Sequence, residues 1–200
     1  LAAFLAGFQR TFGVSFAAIS IQNELNFETF YNSCSYPRAA DYVAALKRVR
    51  AELDRHAELR EISIMGPEDL LGSDYYSLWR FGDERKGVDK NLRYLAAVAR
   101  DPQAAKALGF FAVHGYAQDG VGSVGDDPEM WRSWRDGWAT SPRPGLPDEV
   151  LGARAHGKKS CMTETSGEPH RFLPAEGSPL GDSALGLSIK IHQALTTGEQ

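Results

Sequence analysis

Apolar and polar positions along this chain fall into two periods that take turns. Leu1 to Arg10 carries its apolar residues at helical spacing and predicts a helix already under way at the first residue, the mark of a piece of a longer product; Gly13 breaks the pattern. Val14 to Glu24, rich in Ile, Val and Phe, predicts a strand. Pro37 opens a helix to about His56, with Tyr42, Leu46, Val49 and Leu53 on one stripe. Glu61 to Met65 predicts a second strand, stopped by Gly66-Pro67. A helix from about Val88 to Arg100 turns Leu92, Leu95 and Val98 to one face, and Asp101-Pro102 provides the cap and first residue of another. Gly109 to Tyr116 predicts the third strand, Met130 to Trp138 a helix, Lys159 to Thr165 the fourth strand, and Asp182 to Leu195 a closing helix.

Strand and helix thus alternate four times, which implies parallel pairing, because parallel neighbours need a long connection. An open doubly wound sheet and part of an eight-stranded barrel both satisfy that order. Side-chain parity favours the barrel. Along the first strand Ser20, Gln22 and Glu24 alternate with Ile19 and Ile21; Ser160, Met162 and Glu164 share one face of the fourth, and Phe110, Ala112, His114 and Tyr116 one face of the third. A polar row behind an apolar one suits a sheet with one face toward a site and the other under helices, whereas a sheet covered on both faces reads as nearly continuous apolar strands. The expected fold class is therefore α/β, a (β/α)8 TIM barrel present in part, with residues 1–200 as one domain.

Composition narrows the partners. The 200 residues are 42% hydrophobic and 24% charged, ordinary for a chain with a real core. A formal charge of -4 gives no basic field, so nucleic acid is not an expected partner. No apolar run approaches the roughly 20 residues of a membrane-spanning helix. Cys34 and Cys161 are too few for a disulfide framework, and neither they nor His56, His156, His170 and His192 show metal-ligand spacing, so no metal or cofactor is expected.

The chemistry concentrates on Glu24 and Glu164. Both fall at the C-terminal ends of predicted strands, where barrel enzymes set their catalytic groups. Two carboxylates about 5 to 5.5 Å apart across a glycosidic bond permit hydrolysis with retention: one protonates the leaving oxygen while the other attacks the anomeric carbon. In such a site Asn23 is placed to meet the sugar's 2-hydroxyl and Tyr116 to donate to the nucleophilic carboxylate. Aromatic residues in loops after strands, Tyr31 and Trp79 with Phe27, Tyr36 and Tyr75, are the candidates for lining a sugar groove.

Ser20-Ile21-Gln22-Asn23-Glu24, Tyr31-Asn32-Ser33-Cys34, His114-Gly115-Tyr116 and Met162-Thr163-Glu164-Thr165-Ser166-Gly167 together resemble clan A of the glycoside hydrolases, and are most similar to family 30. The resemblance implies a retaining enzyme on a (β/α)8 barrel, of which the chain holds about strands 4 to 7. It implies Glu24 as acid/base, Asn23 as its 2-hydroxyl partner, Glu164 as nucleophile, His114 and Tyr116 as the sixth-strand pair beside it, a carbohydrate substrate and a secreted or extracellular location. The chain departs from the pattern in lacking the first three strands and the eighth, and four strands leave both sheet edges bare.

Other signals have plainer readings. Gly120-Val121-Gly122-Ser123-Val124-Gly125 matches a dinucleotide fingerprint, the basis for an oxidoreductase alternative, but Asp119, Asp126 and Asp127 would repel a pyrophosphate there, and a rim loop is preferred. Trp131, Trp134 and Trp138 at helical spacing are read as core packing on the sheet's outside. Cys161 is read as buried filler on the outward face of its strand. A carbohydrate-binding barrel without turnover is the alternative from another class.

Overall fold

The computed structural model describes residues 1–25, 36, 38–70, 90–114 and 156–164, together with Ser188, Ile191, His192 and Leu195. Within them lie four helices, α1 (Ala2–Phe12), α2 (Ala39–Asp54), α3 (Lys90–Arg100) and α4 (Pro102–Ala107), a 3-10 turn at Ala57–Leu59, and four strands, β1 (Ala18–Ser20), β2 (Ser63–Leu70), β3 (Leu108–His114) and β4 (Ser160–Glu164). The strands form one sheet in the order β1-β2-β3-β4, every neighbouring pair parallel. The four helical residues near the C-terminus fall within the predicted closing helix.

Local chemistry accounts for the element ends. Gly13 closes α1 in the left-handed region at φ 67, and its N–H donates to the carbonyl of Gln9. Asp101 caps α4, its carboxylate accepting from the N–H groups of Gln103 and Ala104 at 3.0 Å each, with Pro102 at the first helical position.

The helices share a single apolar cluster with the sheet. Leu5 of α1, Tyr42 and Leu46 of α2, Leu95 and Val98 of α3, and Ala104 of α4 pack with Ile19, Ile64 and Phe111 of the strands. Ala112 and His114 are also fully buried but stand outside that cluster. The result is a parallel α/β sheet of four strands with its described helices on one apolar layer.

Two strands differ from expectation. The first pairs only from Ala18, opposite Ser63, to Ser20, opposite Met65, so Val14 at one end and Glu24 at the other lie outside it. The second is not stopped by Gly66-Pro67 but runs through to Leu70. Proline lacks the ladder N–H and is tolerated within a sheet beside a bulge, and the register shows one between Pro67 and Asp69, with Glu68 as the extra residue. Gly66 is required by close approach: a Cβ there would stand 2.1 Å from Tyr42 Oη.

Candidate active site

The C-terminal ends of β2, β3 and β4 meet at His114. On β3 it is the last strand residue, its side chain fully buried. Both neighbouring strands break register beside it. On β2, Pro67 pairs with Ala112 and Asp69 with Val113, which leaves Glu68 as the bulge. On β4, Met162 pairs with Val113 and Glu164 with His114, which leaves Thr163 as the bulge. An added residue re-aims the side chains that follow it. The sheet therefore bends its two flanking strands around one imidazole.

The carboxylates gather on both ring nitrogens. His114 Nδ1 lies 3.2 Å from Glu24 Oε1, while Nε2 lies 3.6 Å from Glu164 Oε2 and 3.9 Å from Glu68 Oε2. The first contact is a hydrogen bond; the other two are ion-pair contacts, too long for direct hydrogen bonds. The nearest side-chain oxygens of Glu24 and Glu164 and a ring nitrogen of His114 all lie within 4.8 Å of one another. Glu164 remains half-exposed at the rim, with 45% of its side chain open to solvent, against 13% for Glu24 and 10% for Glu68. The three acids thus run from a wet rim to a dry floor.

Their charges shape the imidazole. Burial alone pushes the His114 ring toward neutrality, but the hydrogen bond to Glu24, the facing Glu68 carboxylate and the charge of Glu164 outweigh it, lifting its pKa to about 9. Burial likewise pushes the Glu68 carboxyl up, and interactions with His114 and the Thr163 hydroxyl reverse this and hold it below the usual carboxylate range. Glu24, His114 and Glu164 each offer an atom of a type that binds metals, and a cation there would have to displace the ring's proton. The cluster is read as a proton-sharing site.

The sequence-derived candidates divide accordingly. Glu24, His114 and Glu164 come together. Asn23 is exposed, and its carbonyl accepts from Gln22 Nε2. Tyr31, Trp79 and Tyr116 lie outside the described residues, as do the glycine-rich loop and the Trp131, Trp134 and Trp138 stripe. Tyr36 is partly buried against the core, its ring edge-on to Tyr42 and its carbonyl accepting from Tyr94 Oη.

Parity needs two corrections. Glu24 is not a strand-end residue: it follows β1 in a turn with φ 46, and its N–H donates to the carbonyl of Glu68 at 2.7 Å. On β4, Ser160 is in register with Phe111 of the helix-packed core, whereas Cys161 is in register with Ala112. Cys161 therefore shares the site's face and does not point outward; burial and the Glu68 charge both raise its thiol pKa. Glu164 reaches His114 because Thr163 bulges, not because it shares a face with Ser160.

Glu68 carries no signal of its own in the sequence pattern. Gly66-Pro67 reads as a strand stop, which leaves Glu68 beyond the strand. The available signal was proline inside an apolar run, which marks a bulge as well as an end.

Solved structures supply the comparison for this fold. The chain is similar to a glycoside hydrolase family 30 subfamily 8 xylanase from Clostridium acetobutylicum, with a TM-score of 0.54 and 21% identity over 100% of this chain and 37% of that one. It is also similar to SrfJ from Salmonella typhimurium, with a TM-score of 0.52 and 19% identity over 88% of this chain and 29% of that one. The chain therefore spans about a third of the length of the structures it matches. No protein-family model and no curated protein matches it. At these identities the likeness is one of fold, and among the described residues no helix is long and apolar enough to cross a membrane.

Proposed function

We propose that this chain carries the catalytic pair of a retaining β-glycosidase set in part of a (β/α)8 barrel, with Glu24 as acid/base and Glu164 as nucleophile. The observation that carries the proposal is the approach of the two carboxylates, whose nearest side-chain oxygens lie within 4.8 Å. That spacing is in line with the roughly 5 to 5.5 Å of retaining sites and is too short to admit the water that inverting sites hold across about 6.5 to 9.5 Å. The sequential strand order with helices on one layer supports a barrel arc, because doubly wound sheets reverse their strand order at a switch point. Likeness in fold to a family 30 xylanase supports a β-linked carbohydrate as substrate.

In the first step Glu24 gives its proton to the glycosidic oxygen as the C1–O bond breaks, and a Glu164 oxygen bonds to C1. In the second, Glu24 takes a proton from water, the water oxygen bonds to C1, and the C1–Glu164 bond breaks. His114, in contact with both side chains, favours the negative charge that Glu164 carries before attack and that Glu24 carries once its proton is given up. Asn23 is assigned to the 2-hydroxyl, and Tyr31, Trp79 and Tyr116 to the sugar groove.

The test is hydrolysis of aryl β-xylosides, β-glucosides and β-galactosides and of β-xylan, with the first product's anomer followed by NMR. Retained configuration is expected, with Glu164→Gln and Glu24→Gln each lowering turnover by a factor of at least about 100. Inverted product, unchanged turnover in both variants, or sugar binding without product would overturn the proposal; the last would make the chain a binding module.

A further inference from the structure

Three carboxylates, not two, converge on His114, and the catalytic scheme uses only Glu24 and Glu164. We infer that Glu68 is a positioning residue: held by the β2 bulge, its carboxylate fixes the orientation and charge of His114 and acts through that ring on the Glu24/Glu164 pair. This inference rests on the glycosidase reading for its effect on turnover, though not for its effect on His114.

Geometry singles out Glu68 in three ways. It is the bulge residue itself, and its backbone sits at φ 58, a left-handed conformation that glutamate rarely adopts and that the surrounding fold has to impose. Its carbonyl accepts the N–H of Glu24 at 2.7 Å, so the same residue places the proposed acid/base from the main chain and faces its imidazole partner from the side chain. Its carboxylate is buried, Oε1 has no hydrogen-bond partner among the described residues, and beyond the neutral Thr163 hydroxyl it faces His114 Nε2 at 3.9 Å, the group that can offer it a positive charge. A carboxylate without a compensating cation is costly to bury, so the pair holds its form only while the ring is charged.

The consequence for the site follows from the shared nitrogen. Nε2 faces Glu68 and Glu164 together, and Nδ1 faces Glu24. Three carboxyl groups then meet at one ring. Remove the inner negative charge and the ring releases its proton more easily, after which Glu24 and Glu164 face each other without a cation between them. Other titratable groups face Glu68 too: Tyr42 from α2 and Cys161 from β4, both with pKa values raised by burial and then by the Glu68 charge.

The experiment is an NMR titration of the His114 imidazole in the wild-type chain, Glu68→Gln and Glu68→Asp, paired with the pH profile of kcat/KM on an aryl β-glycoside. Glu68→Gln keeps the shape and removes the charge. It is expected to lower the ring's proton affinity about tenfold or more and to shift the alkaline limb of the profile down in step. Glu68→Asp, which tolerates the left-handed backbone better, is expected to restore the midpoint toward wild type. A wild-type midpoint at the ordinary histidine value would overturn the inference even if neither variant folded. So would an unmoved midpoint in Glu68→Gln, or a uniform loss of kcat/KM with the limb in place. A shifted midpoint in a chain that hydrolyses no glycoside would uphold the positioning role and sink the glycosidase reading alone.

Discussion

The N–H of Glu24 donates to the carbonyl of Glu68 at 2.7 Å, and both residues have left-handed backbones, at φ 46 and φ 58. Two non-glycine residues strained in the same sense and tied to each other are costly to stability, roughly 1 to 2 kcal/mol apiece. Strain of this kind persists where the fold holds a side chain in a set direction.

Glycine at position 24 would relieve that strain and remove the carboxylate. Because Glu24 also partners His114, the relief is cleanest where the ring is absent. In a His114→Gln background, Glu24→Gly is expected to raise unfolding stability by about 1 kcal/mol. Urea unfolding of the two chains measures it; equal or lower stability would mean that the turn is not strained.

His114 couples stability to pH. Its folded pKa of about 9 lies above the ordinary 6.5, so its contribution is fully present below pH 6.5 and is lost as pH rises through about 9. The span corresponds to about 3 kcal/mol at most. Glu68 works in the opposite sense: its lowered pKa adds stability above the ordinary carboxylate value of 4.5, which is lost as the medium is acidified below it. Wild type is therefore expected to lose urea resistance between pH 6.5 and 9, whereas His114→Gln stays flat over that window. A slope of the same size in both chains would place the titration elsewhere.

The sequence made the framework legible where a pattern maps onto one physical cause. The apolar run before His114 gave β3 to within two residues, and Asp101-Pro102 gave a helix start that the side chain caps as expected. It failed where two backbones had to be known together. The length of β1 depends on where β2 begins to pair, so the apolar run from Val14 overstated it. Bulges are invisible to parity, because an extra residue changes the face of all that follow. For that reason the Ser160, Met162 and Glu164 row misassigns the faces of β4, and no pattern in the sequence points to Glu68.

Gly66 and Tyr42 offer a test of the packing beneath the site. A Cβ on Gly66 would meet Tyr42 Oη at 2.1 Å and Cζ at 3.2 Å, with the ring pinned edge-on against Tyr94 at 5.6 Å. Gly66→Ala is therefore expected to destabilise by about 1 to 3 kcal/mol through overpacking. Tyr42→Phe removes a buried hydroxyl that has no hydrogen-bond partner among the described residues, and is expected to be nearly neutral. With Oη gone the added methyl meets Cζ at 3.2 Å, which has to give by a few tenths of an ångström, and Cε2 at an ordinary 3.8 Å, so the double variant should recover most of the loss. Thermal unfolding of the four chains gives the coupling between the two positions. Additive losses would mean that the hydroxyl is not what the methyl meets, and that the close approach of α2 to β2 does not explain why glycine stands before Pro67.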